Sequence, residues 1–173
     1  MALGKLASPI KPAMSTALRP ALPEDESLQL EVYASTRADE LSLVPWTAEE
    51  KLAFVQMQFN AQRQHYMQYY PDAQWLIIMR EDLPVGRLIV DRTREEIVLM
   101  DIALLPPYRN QGIGTALIRD LLDEAQHTGR PVRLHVEFFN PAMGLYERLG
   151  FTRIGESGVY FEMEWRPVAD QVK

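Results

Sequence analysis

The 173-residue sequence has no cysteine, which excludes disulfides, thiolate-ligated zinc or iron–sulfur clusters and a cysteine nucleophile. Positive charge is also scarce. The 18 Lys and Arg stand against 24 Asp and Glu, a net charge of −6, so the broad basic surface that nucleic acid requires is not expected. Long hydrophobic runs are missing too: the longest, Ile97 to Leu105, is broken by Asp101 and falls far short of the roughly 20 apolar residues that cross a bilayer. The first residues carry Lys5, Pro9, Lys11 and Pro12 without the apolar block of a secretory signal. These absences predict a soluble, cytoplasmic chain with no nucleic-acid partner, no membrane contact and no metal.

What is present suits one globular domain, with 47% hydrophobic and 24% charged residues. Residues 1–14 read as a flexible N-terminal extension, with Met14 an alternative start, residues 15–166 as the domain and residues 167–173 as a tail. Thr16 to Leu22 reads as a strand and Glu24 to Arg37 as a helix. Thr47 and Glu50 form a capping box for a second helix, with Leu52, Val55, Phe59 and Tyr66 at helical spacing and Pro71 as its stop. Trp75 to Arg80 and Val85 to Asp91 read as a hairpin turned at Leu83, Pro84 and Gly86. Glu96 to Leu105 is apolar at nearly every position, the mark of a central strand buried on both faces.

That strand runs straight into Arg109, Asn110, Gln111, Gly112, Ile113 and Gly114, after which Ile113, Leu117, Leu121 and Leu122 mark one helix face ended by Gly129 and Pro131. A strand, a glycine turn and a helix start gather free backbone amides and the positive end of a helix dipole at one point, which suits phosphate. Paired glycines at a helix start also serve as plain packing turns, so neighbouring sequence must decide. The P-loop pattern fails because Thr115 and Ala116 follow Gly114 where lysine is required, and the dinucleotide fingerprint fails at Leu117. Val132 to Phe139 then reads as a strand, Asn140 and Pro141 as the start of a short helix ending at Gly150, and Phe151 to Ile154 with Val159 to Trp165 as a hairpin around Gly155 and Gly158.

The pattern Arg109, Gly112, Gly114, preceded by Ile102, Ala103, Leu104 and Pro106, resembles the first signature of the GNAT superfamily of acyl-CoA-dependent N-acyltransferases. Val136, Asn140, Leu145, Tyr146, Glu147, Leu149, Gly150 and Phe151 resemble its second, about 30 residues on. The resemblance implies a mixed α/β (α+β) fold: a mostly antiparallel sheet of about seven strands, flanked by helices, whose parallel fourth and fifth strands splay apart. It implies acetyl-CoA as acyl donor, with the pantetheine arm beside Ile102, Ala103 and Leu104 and the pyrophosphate held at Arg109, Asn110, Gln111, Gly112, Ile113, Gly114 and Thr115. Asn140 would lie beside the arm or simply cap its helix.

The implied reaction moves an acetyl group to a primary amine, and the resemblance gives Tyr146 the role of protonating the departing thiolate. A phenol of ordinary pKa about 10 is protonated at neutral pH and suited to that task, though a tyrosine there can also be core packing. A backbone amide near Leu104 would meet the oxyanion. Asp101, His135 and Glu137 are open alternatives for the base, as is a chain of waters. Leu43, Pro45 and Trp46, with His65, Tyr66, Tyr69 and Tyr70, could frame the acceptor, and the same tyrosines suit packing or a homodimer contact. A noncatalytic acyl-CoA-binding module stands as the alternative.

Overall fold

Seven strands pair into a single sheet in the order β1-β2-β3-β4-β5-β7-β6. The strands are β1 (Thr16–Pro20), β2 (Gln74–Arg80), β3 (Leu83–Arg92), β4 (Ile97–Leu104), β5 (Val132–Glu137), β6 (Thr152–Ser157) and β7 (Tyr160–Trp165). The helices are α1 (Glu26–Ser42), α2 (Ala48–Tyr69), α3 (Ile113–Thr128) and α4 (Met143–Arg148). Every pairing is antiparallel except β4 with β5, the arrangement the resemblance implies. The structure, a computed structural model, describes residues 15–169, so the extension expected at 1–14 and the tail past 169 lie outside it.

Two cores follow from the alternation of side chains across the strands. On one face Ile113, Leu117, Ile118, Leu121, Leu122 and Ala125 line the buried side of α3 and pack on Leu88, Val90, Leu99, Leu134 and Val136, with Tyr146 of α4 closing the same core. The other face carries α1 and α2, whose Tyr33, Val55 and Phe59 form a smaller cluster. Thr47 caps α2 as expected, with Glu50 N donating to Thr47 Oγ1 at 3.2 Å and Glu50 Oε2 accepting from Thr47 N at 2.8 Å. No helix among the described residues is long and apolar enough to cross a membrane.

Several local expectations are corrected. The first helix begins at Glu26, after a 3₁₀ turn at Pro23–Asp25, and passes Arg37 to end at Ser42. Leu52 is 60% exposed although it shares helical spacing with buried Val55 and Phe59. The β2–β3 hairpin turns at Glu81 and Asp82, with Glu81 taking a φ of 51°, so Leu83, Pro84 and Gly86 lie inside β3. Gly86 instead permits close contact: a β-carbon there would sit 2.3 Å from the Ala103 carbonyl oxygen on β4. Gly155 belongs to β6, opposite Glu162, leaving Gly158 with a φ of 61° near the turn.

Candidate active site

The parallel contact between β4 and β5 lasts three residue pairs, Ile97↔Val132, Val98↔Arg133 and Leu99↔Leu134. Beyond Leu99, β4 continues along β3 as far as Leu104 while β5 continues along β7 as far as Glu137, so a gap opens between them. A bulge marks the parting: β3 pairs Val90 with Leu99 and Ile89 with Asp101, and Met100 has no partner. Leu105 N donates to Val85 O on the β3 side, so by alternation the backbone groups of Leu104 and Ile102 point into the gap. Their side chains pack on the α3 and α4 core.

The glycine turn lies at the end of β4. Asn110 and Gly112 both adopt positive φ, 59° and 82°, which curls the chain into the start of α3. A β-carbon at Gly112 would meet nothing within 4 Å, and one at Gly114 would only graze Ile102 at 4.0 Å. The first amide to find a carbonyl is that of Ala116, on Gly112 O at 3.0 Å. The amides from Gln111 to Thr115 thus converge at the helix's positive end without a backbone carbonyl acceptor among the described residues. Gln111 turns its side chain back to Pro107 O at 2.7 Å. Arg109 also turns inward, donating from Nε to Leu104 O at 2.9 Å and from Nη2 to Ser35 Oγ of α1 at 2.9 Å. It shapes the loop and occupies the last β4 carbonyl, leaving the Leu104 amide and both Ile102 backbone groups facing the gap.

Across the gap, Tyr146 is 7% exposed and meets Phe151 edge to face at 5.7 Å between centroids. Burial, with a smaller push from the negative charge of Asp101, raises its phenol to about 12. Asn140 is exposed and caps the approach to α4, its Oδ1 accepting from Ala142 N at 2.8 Å and its carbonyl from Met143 N at 3.1 Å. Its side-chain amide is turned to neither bond. Among the described residues no cluster of His, Cys, Asp and Glu is placed to hold a metal ion.

The three candidate bases share the face that carries α1 and α2. Asp101 follows the bulge, and His135 and Glu137 alternate with buried Leu134 and Val136 on β5. Asp101 Oδ2 accepts from Arg87 Nε at 2.7 Å, and Arg87 Nη2 donates to Gln62 Oε1 at 2.7 Å. Glu137 Oε1 accepts from Arg37 Nη1 at 3.0 Å. Both guanidiniums pack on the Tyr33 ring, Arg37 at 5.5 Å and Arg87 at 5.8 Å from its centroid, so a carboxylate from each splayed strand is tied to one residue of α1. Tyr160 joins the group from β7, and burial, then the charge of Glu137, raises its phenol.

Arg87, Arg37, Tyr33 and Tyr160 belong to none of the motifs in the sequence. A signal for the first existed: Arg87 and Asp101 are charges set in apolar strands, and a charge buried in a sheet needs an opposite partner on the same face. The aromatic group expected around the acceptor is dispersed. Trp46 packs edge-on to Phe54 at 5.2 Å, His65 lies 4.7 Å from Tyr69, and Leu43 is 86% exposed. Of that group Tyr66 reaches the parting strands, donating to Met100 O at 3.2 Å while packing on Trp75 at 6.0 Å.

Known proteins share this architecture. The sequence profile described as Acetyltransferase (GNAT) family matches residues 36–151. Ribosomal protein bS18-alanine N-acetyltransferase of Escherichia coli (strain K12) is 42% identical over 59 residues, 33% of this chain and 40% of that protein. Cysteine-rich protein 2-binding protein of Mus musculus is 31% identical over 83 residues, 47% of this chain and 10% of that one. The matched segments therefore span from a tenth to two-fifths of these relatives. Among solved structures, PaiA N-acetyltransferase from Thermoplasma acidophilum in complex with coenzyme A has a TM-score of 0.68 at 20% identity, covering 88% of this chain and 99% of that one. The ribosomal-protein-S18-alanine N-acetyltransferase from Escherichia coli has a TM-score of 0.58 at 20% identity, covering 92% and 99%. These structural likenesses show the fold.

Proposed function

The chain belongs to the acetyltransferase (GNAT) family, and from that premise we propose that it transfers an acetyl group from acetyl-CoA to a primary amine. The observation that carries this reading is the gap opening beyond Leu99↔Leu134 on the strand that leads into the turn, whose amides from Gln111 to Thr115 find no backbone acceptor among the described residues. The donors of the turn follow directly on the open backbone of β4, as a diphosphate joined to an amide-bearing arm requires.

In this reading the amides of Gln111, Gly112, Ile113, Gly114 and Thr115 hold the pyrophosphate, and the backbone of Ile102 and Leu104 pairs with the pantetheine as a neighbouring strand would. Ala103 spaces these two, its own backbone turned to β3. Arg109 acts from behind by fixing the Leu104 carbonyl, and Asn110 sets the curl of the turn. The side-chain amide of Asn140 reaches the arm from the β5 side. The Leu104 amide meets the charge that grows on the thioester oxygen as the amine attacks. Tyr146 gives its proton to the departing thiolate, its phenol being protonated throughout the neutral range.

Acetyl-CoA and free CoA should both raise the melting temperature, because pyrophosphate recognition is common to them. No shift with either at millimolar concentration would remove the reading. Thiol release across amino acids, polyamines, aminoglycosides and peptides then identifies the acceptor.

A further inference from the structure

Resting on the function proposed above, we infer that Arg37 of α1 is a positioning residue that sets the width of the gap. Through its ion pair with Glu137 it keeps β5 at the distance from β4 at which the pantetheine arm meets both walls. The case begins with what holds the gap at its open end. The backbone seam stops at Leu99↔Leu134, while β4 runs on to Leu104 and β5 to Glu137. Glu137 closes β5, the position on that strand farthest from the seam. Among the described residues its bond from Arg37 Nη1, at 3.0 Å, is the one side-chain hydrogen bond or ion pair that joins β5, β6 or β7 to α1, α2 or β4.

The same helix is fastened to the opposite wall. Ser35 Oγ accepts from Arg109 Nη2 at 2.9 Å, and Arg109 Nε donates to Leu104 O at 2.9 Å. Ser35 and Arg37 of α1 therefore reach the two walls, the first at the end of β4 and the second at the end of β5. A second path crosses the same face. Asp101 of β4 accepts from Arg87 at 2.7 Å, Arg87 and Arg37 lie 5.8 and 5.5 Å from the centroid of the Tyr33 ring, and Arg37 reaches Glu137. The Arg37 and Glu137 side chains are 20% and 32% exposed, so water screens this pair less than it screens Arg37 and Glu40, at 3.3 Å, where the carboxylate is 64% exposed. The pair spans the stretch where the half-sheets share no backbone hydrogen bond, so what it fixes is their separation there. The donors of the glycine turn, by contrast, are fastened to β4 through Arg109 and owe nothing to β5. Loosening β5 therefore costs contacts to the arm and leaves recognition of the diphosphate as it was.

The test measures, by calorimetry on the full chain, the affinity of CoA and of 3′-phospho-ADP, the half of CoA that keeps the diphosphate and lacks the arm. In the unaltered protein CoA should bind more tightly of the two. Arg37→Met and Glu137→Ala should each weaken CoA about tenfold and leave 3′-phospho-ADP unchanged. The double variant should bind CoA no more weakly than Arg37→Met alone, because both changes remove the same tie. Equal losses for the two ligands, no loss for either, or additive losses in the double variant overturns the assignment. Glu137 stands at a strand end and is partly exposed, so Glu137→Ala decides even if Arg37→Met folds poorly. Failure of the unaltered chain to bind CoA more tightly than 3′-phospho-ADP would instead count against the parent function.

Discussion

The hydroxyl of Tyr66 donates to the carbonyl oxygen of Met100, the one β4 residue that finds no partner on β3. The bond ties α2 to the sheet one residue past the last β4–β5 pair, where the strands part. A bulge frees a carbonyl from the ladder, and a buried carbonyl without a donor costs more than the bond it loses.

Tyr66→Phe should therefore destabilise the protein by about 1–2 kcal/mol, measured by denaturant titration with an unchanged slope. CoA affinity should fall with it, because Ile102 and Leu104 follow directly from the bulge. A variant as stable as the parent would mean that the bulge is held by packing alone.

Tyr146→Phe should keep the CoA-induced thermal shift and lose most turnover once an acceptor is in hand. Burial first, then Asp101, raises this phenol to about 12, so it remains protonated well past its ordinary value near 10. The sign follows: the alkaline fall in kcat caused by this group belongs near pH 12, and none is expected from it between pH 8 and 10. Unchanged turnover in Tyr146→Phe would withdraw the role.

Two glycines should answer differently to alanine. At Gly112 there is open space and only the positive φ of 82° resists, so Gly112→Ala should cost about 1 kcal/mol. At Gly86 the added carbon would collide with the Ala103 carbonyl and with Leu104, so β3 and β4 must separate at the end that faces the gap. Gly86→Ala should cost about 3 kcal/mol and weaken CoA binding more than Gly112→Ala does. Melting curves with and without CoA compare the two.

The contrast shows what the sequence could convey. Element order, the capping box at Thr47, the glycine turn and the apolar run of β4 are local patterns, and each appears where its residues predict. Gly86 read as a turn because a glycine beside Leu83 and Pro84 looks like one, while the true turn uses Glu81 in a conformation its residue type does not advertise. The charged face opposite the α3 core is assembled from Arg37, Arg87, Tyr33 and Tyr160, which come from three elements and carry no shared motif. Only the sheet register, with Ile89 opposite Asp101 and Arg87 opposite Ala103, puts the charges on one side.

At the sheet edge, Asp25 accepts from Arg19 at 2.7 and 2.9 Å and from Leu22 N at 2.8 Å, holding its carboxyl down to about 2. A depressed carboxyl adds stability that is fully present above its unfolded value of 3.8 and is lost as pH falls through 2. Asp25→Asn should cost at most about 2 kcal/mol at pH 7, and its deficit relative to the parent should close between pH 5 and pH 2. A deficit constant across that range would assign the effect to packing.

The short contact between β4 and β5 also has a mechanical meaning. Three residue pairs are the whole hydrogen-bonded seam between a half-sheet of β1 to β4 and a half-sheet of β5, β7 and β6. Every other neighbouring pair of strands is joined over at least five residues. On the proposed function the arm of the cofactor lies in that gap, touching both halves at once and riveting the sheet together, so that its occupancy and the rigidity of the entire fold are coupled.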